Sequence, residues 1–151
     1  FRSLTPGAKV DVEGPFGIFQ VRHDPTEERS LWVATGTGLA PMRPMLRAVQ
    51  SVSAAKPALI LHGIRADSDL LWADEFEALP GVTYVPTVSR PGASWSGLTG
   101  RVQAHLHESV LRSGATRAYL CGRSEMIKDV RQMLKSEHGF DRKQIHTERF
   151  D

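Results

Sequence analysis

A short apolar run that ends in a tight glycine turn restricts the fold of this chain more than any other sequence feature. The run Trp32 to Ala34 leads into Thr35-Gly36-Thr37-Gly38, and Pro41 opens an amphipathic segment. Proline suits the first turn of a helix because it lacks an N–H that would stay unpaired there. Glycines let the backbone approach a ligand closely, and the free N–H groups of a helix start favour phosphate. The pattern predicts a strand, a turn and a helix that face the pyrophosphate of a nucleotide.

The standard dinucleotide fingerprint is incomplete at this turn. It requires a third glycine, where Pro41 stands, and an acidic residue about 20 positions further on. The next apolar run, Ala58 to Leu61, leads instead into His62-Gly63-Ile64-Arg65. A phosphate site and an ordinary turn are therefore both open interpretations of these residues alone.

Composition narrows the class of protein. The chain has 151 residues, the size of one domain with a full core. Its net charge of +2 comes from scattered Lys and Arg, so we expect no nucleic-acid partner. Cys121 is the only cysteine and the histidines lack ligand spacing, so we expect neither a disulfide nor a metal. We also expect a cytoplasmic protein without a membrane span, because no apolar run is long enough and one cysteine suits a reducing compartment.

Beyond residue 30, strand patterns alternate with helix patterns. Apolar runs predict strands at Leu31–Thr35, Pro57–His62, Val82–Val88, Thr116–Cys121 and Gln144–Glu148. Helical spacing predicts helices at Pro41–Val52, Asp67–Leu79, Arg101–Leu111 and Glu125–Lys135. Strands that are apolar on both faces and separated by helices predict an α/β fold, an open parallel sheet of about five strands flanked by helices.

Residues 1–30 follow a different pattern. Lys9–Glu13 and Ile18–Arg22 alternate like half-buried strands, and Gly14-Pro15-Phe16-Gly17 reads as the turn between them. We predict a short antiparallel hairpin before the main sheet. It needs more sheet to pack on, since an isolated hairpin is marginally stable in water.

Four predicted strands end in turns that carry glycine or polar residues. They are Thr35-Gly36-Thr37-Gly38, His62-Gly63-Ile64-Arg65, Ser89-Arg90-Pro91 and Cys121-Gly122-Arg123-Ser124. Ligands of open parallel sheets bind at the carboxyl ends of the strands, so these turns are candidate binding sites. Simpler interpretations stay open, with His62 as a hydrogen-bonding strand end and Cys121 and Met126 as core residues. Arg90 and Arg123 could equally be solvated surface charges.

A series of motifs spans nearly the whole chain. In order they are Gly14-Pro15-Phe16-Gly17-x-Phe19, Ala34-Thr35-Gly36-Thr37-Gly38-Leu39-Ala40-Pro41, Asp69-Leu70-Leu71-Trp72-x-x-Glu75-Phe76, Val88-Ser89-Arg90-Pro91, Tyr119-Leu120-Cys121-Gly122-x-x-x-Met126-Ile127 and Glu148-x-Phe150. Together they resemble the nicotinamide-binding half of the ferredoxin–NADP reductase superfamily, in which Pro41 is the usual variant of the third glycine. The resemblance implies that a hydride passes from NADPH or NADH to FAD, and that electrons then leave to a separate acceptor.

The resemblance also implies roles for particular residues. The implied catalytic residues, beside the nicotinamide and the flavin, are Cys121 and Glu148. The implied cofactor-binding residues are Thr35, Gly36, Thr37, Gly38, Pro41, Ser89, Arg90, Gly122, Arg123, Met126 and Phe150. Ser89-Arg90 lies where NADP-type members carry a Ser-Arg pair, so the guanidinium of Arg90 would bind the 2′-phosphate. This favours NADPH, while NADH stays open.

The chain departs from the family pattern at its start, after the second glycine turn and after Phe150. Residues 1–30 resemble only the tail of the family's flavin-binding barrel and its linker, and its Arg-x-Tyr-Ser motif is absent. Residues 31–151 would form the NAD(P)-binding domain. Arg123-Ser124 stands where many members have proline, and Asp151 follows Phe150.

The implied partners are a nicotinamide nucleotide, a flavin domain and a downstream electron acceptor. One alternative is a nucleotide-binding or regulatory module, or an electron-transfer subunit domain, without turnover of its own. Another is a flavodoxin-like FMN binder, although the first strand lacks the Ser/Thr-rich phosphate loop of that class.

Overall fold

A six-stranded parallel sheet forms the centre of the computed structural model, which describes residues 3–14, 16–22, 27–52, 56–106 and 116–150. Its strands are β1 (Arg29–Thr35), β2 (Ala58–Ile64), β3 (Val82–Val88), β4 (Leu98–Thr99), β5 (Thr116–Gly122) and β6 (Ile145–Arg149). Their spatial order is β4-β3-β2-β1-β5-β6, and every neighbouring pair is parallel. The predicted α/β fold with an open parallel sheet is confirmed.

Helices and two hydrophobic layers cover the faces of this sheet. The helices are α1 (Leu39–Val52), α2 (Ala73–Glu77) and α3 (Ser124–Ser136), with 3₁₀ turns at Gly36–Gly38, Asp67–Asp69, Val102–His105 and Arg142–Gln144. Successive side chains of a strand point to opposite faces. Leu31 and Val33 of β1 therefore join the core under α3, whereas Trp32 and Ala34 join the core under α1. Each large apolar side chain buried in this way contributes about 1.5–3 kcal/mol.

The order of the strands reverses between β1 and β5. The chain places β2, β3 and β4 successively on one side of β1 and then returns to place β5 and β6 on the other side. Ligands of such sheets bind outside the carboxyl ends of the strands at this switch point. Ala34 and Cys121 are partners in the register of β1 and β5. The two glycine turns that follow these residues therefore lie next to each other at the switch point.

The predicted hairpin is wrong, because the described part of residues 9–22 contains no strand. Phe16 is 81% exposed, so the alternating pattern has no sheet to cover it. Phe19 instead packs edge-on against Tyr119 of β5, with 6.2 Å between the ring centroids. An alternating segment forms a strand only where a neighbouring strand completes its hydrogen bonds. Pro15 of the expected turn lies outside the described residues.

The helix predicted over Asp67–Leu79 is divided in two. A 3₁₀ turn at Asp67–Asp69 comes first, and α2 begins only after Trp72. The Asp69 carboxylate accepts the N–H of Ala66 at 3.0 Å, a local bond that competes with helix formation. Trp72 then adopts the left-handed conformation with φ of 51°, which a continuous α-helix does not contain.

The region between β3 and β5 also differs from the prediction. Instead of a helix over Arg101–Leu111, the structure has the 3₁₀ turn Val102–His105, and residues 107–115 lie outside the described part. β4 adds a strand to the expected set of about five, because its two exposed residues form no apolar run that periodicity detects.

Candidate nucleotide-binding site

A cavity of about 880 Å³ opens at the carboxyl edge of the sheet. Residues that end or follow all six strands form its wall: Thr35, Gly36, Thr37, Gly63, Ile64, Arg65, Ser68, Asp69, Leu71, Ser89, Arg90, Gly100, Arg101, Val102, Gln103, Gly122, Arg123, Glu125, Met126 and Phe150. This volume lies within the range of about 300–1,000 Å³ that is usual for small-molecule sites. The cavity therefore has the place and the size of a ligand site.

Most of the candidate residues from the sequence meet at this cavity. Those that line it are Thr35, Gly36, Thr37, Ser89, Arg90, Gly122, Arg123, Met126 and Phe150. The remaining candidates, Gly38, Pro41, Cys121 and Glu148, are not part of its wall. Gly38 contacts Cys121 behind the wall, and Glu148 is the register partner of Cys121 on β6.

The two glycine turns are in direct contact. A Cβ at Gly38 would overlap the carbonyl group of Cys121, and a Cβ at Gly122 would overlap the Thr35 hydroxyl. Gly122 also has φ of +138°, which other residues rarely adopt. Glycine is therefore required at both positions for the turns to approach this closely.

Hydrogen bonds link the ends of β1, β5 and β6. The hydroxyl of Thr35 accepts the backbone N–H of Arg123 at 3.1 Å, where α3 begins. The N–H of Phe150 donates to the carbonyl of Gly122 at 3.1 Å. These bonds hold the exposed ring of Phe150 at the cavity, next to the second glycine turn.

The Cys121 thiol is part of the core under α1. It is fully buried and belongs to the same hydrophobic cluster as Ala34 and Leu39. Burial raises the pKa of this thiol to about 12, and the charge of Glu148 raises it further in the same direction. The group therefore stays protonated at neutral pH and is not a thiolate nucleophile.

His62 is buried at the end of β2 and is bonded on both ring nitrogens. Its Nε2 lies 2.9 Å from the carbonyl oxygen of Gly36, and its Nδ1 lies 2.8 Å from the hydroxyl of Tyr84. A carbonyl only accepts, so Nε2 carries the proton and Nδ1 accepts the tyrosine O–H. Burial lowers the pKa of His62, which keeps the ring neutral. The interpretation of His62 as a hydrogen-bonding strand end is confirmed.

The wall of the cavity is rich in arginine. Arg65 and Arg101 line it together with Arg90 and Arg123, whereas its acidic residues are Asp69 and Glu125. An excess of positive charge favours an anionic ligand. The sequence places Arg65 in a candidate turn without assigning it a role, and Arg101 is not among the candidates. The available signal was their position directly after predicted strand ends or glycine-rich turns.

Comparison with known proteins gives the family. The sequence profile of the family described as "Oxidoreductase NAD-binding domain" matches residues 32–132. The chain belongs to this family. A ferredoxin--NADP reductase and solved structures of reductases are among the proteins that it resembles, so the predicted membership of the NAD(P)-binding domains of the ferredoxin–NADP reductase superfamily is confirmed.

Two curated relatives illustrate how much of a longer protein this NAD-binding domain covers. Ferredoxin--NADP reductase B of Sorangium cellulosum is 42% identical over 158 residues, which cover 98% of this chain and 64% of the relative. The phenol hydroxylase P5 protein of Acinetobacter pittii is 32% identical, covering 97% of this chain and 43% of the relative. The chain thus spans less than two thirds of the length of the first relative and less than half of the second.

Solved structures contain the same fold. The Amycolatopsis cytochrome P450 reductase GcoB matches with a TM-score of 0.79 and 26% identity, over 91% of this chain and 42% of that protein. A ferredoxin NADP⁺ reductase from Neisseria gonorrhoeae, solved with bound FAD and NADP, matches with a TM-score of 0.69 and 25% identity, over 83% and 57%.

In the described ranges, none of the helices is both long and apolar enough to cross a membrane. The same residues contain no group of three or more His, Cys, Asp or Glu side chains placed to hold a metal ion.

Proposed function

We propose that this NAD-binding domain is the nucleotide-binding part of an NAD(P)H-dependent flavoprotein reductase, and that NADPH is its preferred nucleotide. When bound, the nicotinamide supplies a hydride and FAD accepts it before electrons leave to a separate acceptor. The observation that supports this proposal most strongly is the contact of two glycine turns at the switch point, beside an arginine-rich cavity.

The first glycine turn is assigned to the pyrophosphate. Thr35, Gly36 and Thr37 line the cavity, and the turn leads directly into α1. Unpaired N–H groups at a helix start favour an anion. Gly38 supports the turn from behind through its contact with the second turn, and Pro41 occupies the first turn of α1 without adding an N–H.

The arginine group is assigned to the 2′-phosphate. Arg90 follows β3, and its neighbour Ser89 is held in place by a hydrogen bond from its hydroxyl to the Ile64 carbonyl at 3.2 Å. Arg65 and Arg101 line the same cavity. A guanidinium binds a phosphate through two parallel hydrogen bonds, so this cluster fits a nucleotide with an additional phosphate on the ribose.

The second glycine turn is assigned to the nicotinamide end. Gly122, Arg123 and Met126 form this part of the wall, and the exposed ring of Phe150 lies at the cavity beside Gly122. Hydride transfer between two stacked rings needs orientation and exclusion of water more than a protein acid. Cys121 would act here as a neutral group under the turn.

Glu148 is assigned to the border of the same end. It is partly buried on β6, where its register partner is Cys121. Its charge contributes to the raised pKa of that thiol, so it helps to keep Cys121 neutral. We therefore place Glu148 beside the reacting rings without assigning it a proton-transfer step.

The flavin and the acceptor are assigned to parts beyond this domain. Residues 1–30 would be the linker and remnant of a flavin-binding barrel, and residues 31–151 the NAD(P)-binding domain. The relatives are longer than this chain, and one solved neighbour carries FAD together with NADP. We propose that its partners are a flavin domain and an electron acceptor protein. We also propose a cytoplasmic location.

The alternative is a nucleotide-binding module without turnover of its own. A colourless chain that binds NADPH and shows no diaphorase activity with added FAD would support this alternative. NADPH oxidation by the chain with added FAD would support the reductase.

The nucleotide preference is tested by calorimetry on the wild type and on Arg90→Ala. We expect Arg90→Ala to weaken NADP⁺ binding by about tenfold or more, because a bidentate charged contact contributes about 1.5–3 kcal/mol. NAD⁺ binding should change little. Arg142→Ala is the matched control, since this exposed arginine lies in the 3₁₀ turn before β6, at the opposite edge of the sheet. Equal small losses for both nucleotides would remove the case for Arg90.

A further inference from the structure

A buried imidazole lies directly behind the first glycine turn and is outside the cavity wall. His62 has no exposed surface, and it connects the hydroxyl of Tyr84 on β3 with the carbonyl of Gly36. His62 and Gly36 are 26 positions apart in sequence. The bond therefore joins the loop after β1 to the neighbouring strand pair, β2 and β3.

The direction of one peptide group depends on this bond. In a trans peptide the carbonyl of one residue and the N–H of the next point in opposite directions. The carbonyl of Gly36 points to His62 in the core, so the N–H of Thr37 points away from His62. Thr37 is exposed and lines the cavity. Gly36 has φ of +51°, and glycine adopts positive and negative φ about equally readily, so this residue type does not by itself fix the direction of the peptide.

We propose that His62, held by Tyr84, is a positioning residue that directs the N–H of Thr37 toward the pyrophosphate of the nucleotide. The inference rests on the function proposed above for the cavity. It assigns to the buried pair a role in ligand binding that is separate from the stability of the core.

The chemistry of the pair suits this role. The carbonyl of Gly36 needs a donor, and the Nε2–H of a neutral imidazole supplies one. With the proton on Nε2, the tyrosine O–H donates to Nδ1, so both ring nitrogens are satisfied and the ring is held in place. Burial raises the pKa of Tyr84 to about 12, so this hydroxyl keeps its proton at neutral pH. An apolar residue at position 62 would leave the Gly36 carbonyl without its donor.

Two ligands separate positioning from a general structural effect. NADP⁺ contains the pyrophosphate, whereas 2′-AMP contains the adenosine and the 2′-phosphate without it. We expect His62→Leu to weaken NADP⁺ binding by about tenfold and 2′-AMP binding by less than about twofold. His62→Gln should recover most of the NADP⁺ affinity, because its amide N–H replaces Nε2–H. Binding is measured by calorimetry for NADP⁺ and by chemical-shift titration for 2′-AMP.

A second variant keeps the test decisive if His62→Leu does not fold. Tyr84→Phe keeps the imidazole and removes its hydrogen bond at Nδ1, which holds the ring in place, so we expect about a threefold loss for NADP⁺ and none for 2′-AMP. Equal losses for the two ligands, or unchanged NADP⁺ affinity in folded His62→Leu and Tyr84→Phe, would overturn the positioning role. A wild type that binds neither ligand would instead overturn the proposed nucleotide site, and this inference with it.

Discussion

The two glycine turns at the carboxyl edge share one sequence pattern, an apolar strand followed by a glycine turn and a helix, but they differ in structure. The first turn is a 3₁₀ helix in which Gly36 and Thr37 are exposed. The second runs from β5 through the extended residue Arg123 directly into α3. His62 holds a carbonyl of the first turn, and Thr35 holds an N–H of the second. We therefore expect the first turn to present backbone N–H groups to the ligand, and the second turn to approach it closely because Gly122 has no side chain.

The largest expected effect on the free energy of unfolding comes from replacing the glycines of the two turns. Gly122 is needed for the contact between the turns, whereas Gly36 is needed only for its backbone conformation. Gly122→Ala places a Cβ on the Thr35 hydroxyl at φ of +138°, whereas Gly36→Ala meets nothing within 4 Å at φ of +51°. We expect Gly122→Ala to lower the free energy of unfolding by about 3 kcal/mol or more and Gly36→Ala by about 1–2 kcal/mol. Urea denaturation measures both. A cost for Gly122→Ala no greater than that for Gly36→Ala would contradict the contact between the turns.

The next effect tests the hydrogen bond that joins the turns. Thr35→Val removes the acceptor for the N–H of Arg123 and keeps the shape of the side chain. We expect a loss of about 1 kcal/mol in the free energy of unfolding, together with a shifted amide signal of Arg123. Thr35→Ser keeps the hydroxyl and is the control. If valine and serine behave alike, the bond contributes nothing.

A smaller effect appears with pH. Burial lowers the pKa of His62, partly opposed by its bond to Gly36, and burial followed by the charges of Arg117 and Arg22 lowers the pKa of His146. The unfolded chain therefore takes up protons before the folded protein does as the pH falls through about 6.5. The free energy of unfolding should be level above this range and decrease toward about pH 5.

Glutamine variants test whether His62 and His146 cause this pH dependence of the free energy of unfolding. His62→Gln and His146→Gln should each remove part of the slope, measured by denaturation at a series of pH values. The double variant should remove more of it than either single change. A slope that both variants leave unchanged would show that these imidazoles are not its source.

The last prediction is that the Cys121 thiol of the native protein does not react with thiol reagents. Cys121 is fully buried with a pKa raised to about 12, so a thiol reagent should not modify the native protein at neutral pH. Modification should follow the rate of unfolding in added urea. Rapid labelling of the native chain would show that the thiol is accessible and would reopen a direct chemical role for it.

The sequence predicts those structural elements that are determined by residues close together in the chain. β1 is apolar on both faces and its glycine turn is local, so the strand, the turn and the parallel sheet follow from the pattern. The failures are non-local. The hairpin over residues 9–22 lacks a partner strand, and the break at Trp72 requires a backbone conformation that periodicity does not encode. The contact of His62 with Gly36 joins strand β2 to the turn after β1, which only the folded sheet brings together.

The central claim is that the nucleotide binds at the carboxyl edge across both turns. It is tested most directly by adding NADP⁺ to ¹⁵N-labelled protein and following the amide signals. We expect the signals of Thr37, Arg90, Gly122 and Phe150 to move together as the site fills, while that of Arg142 at the opposite edge stays in place. Shifts confined to one turn, shifts centred on Arg142, or no shifts at all would contradict the account.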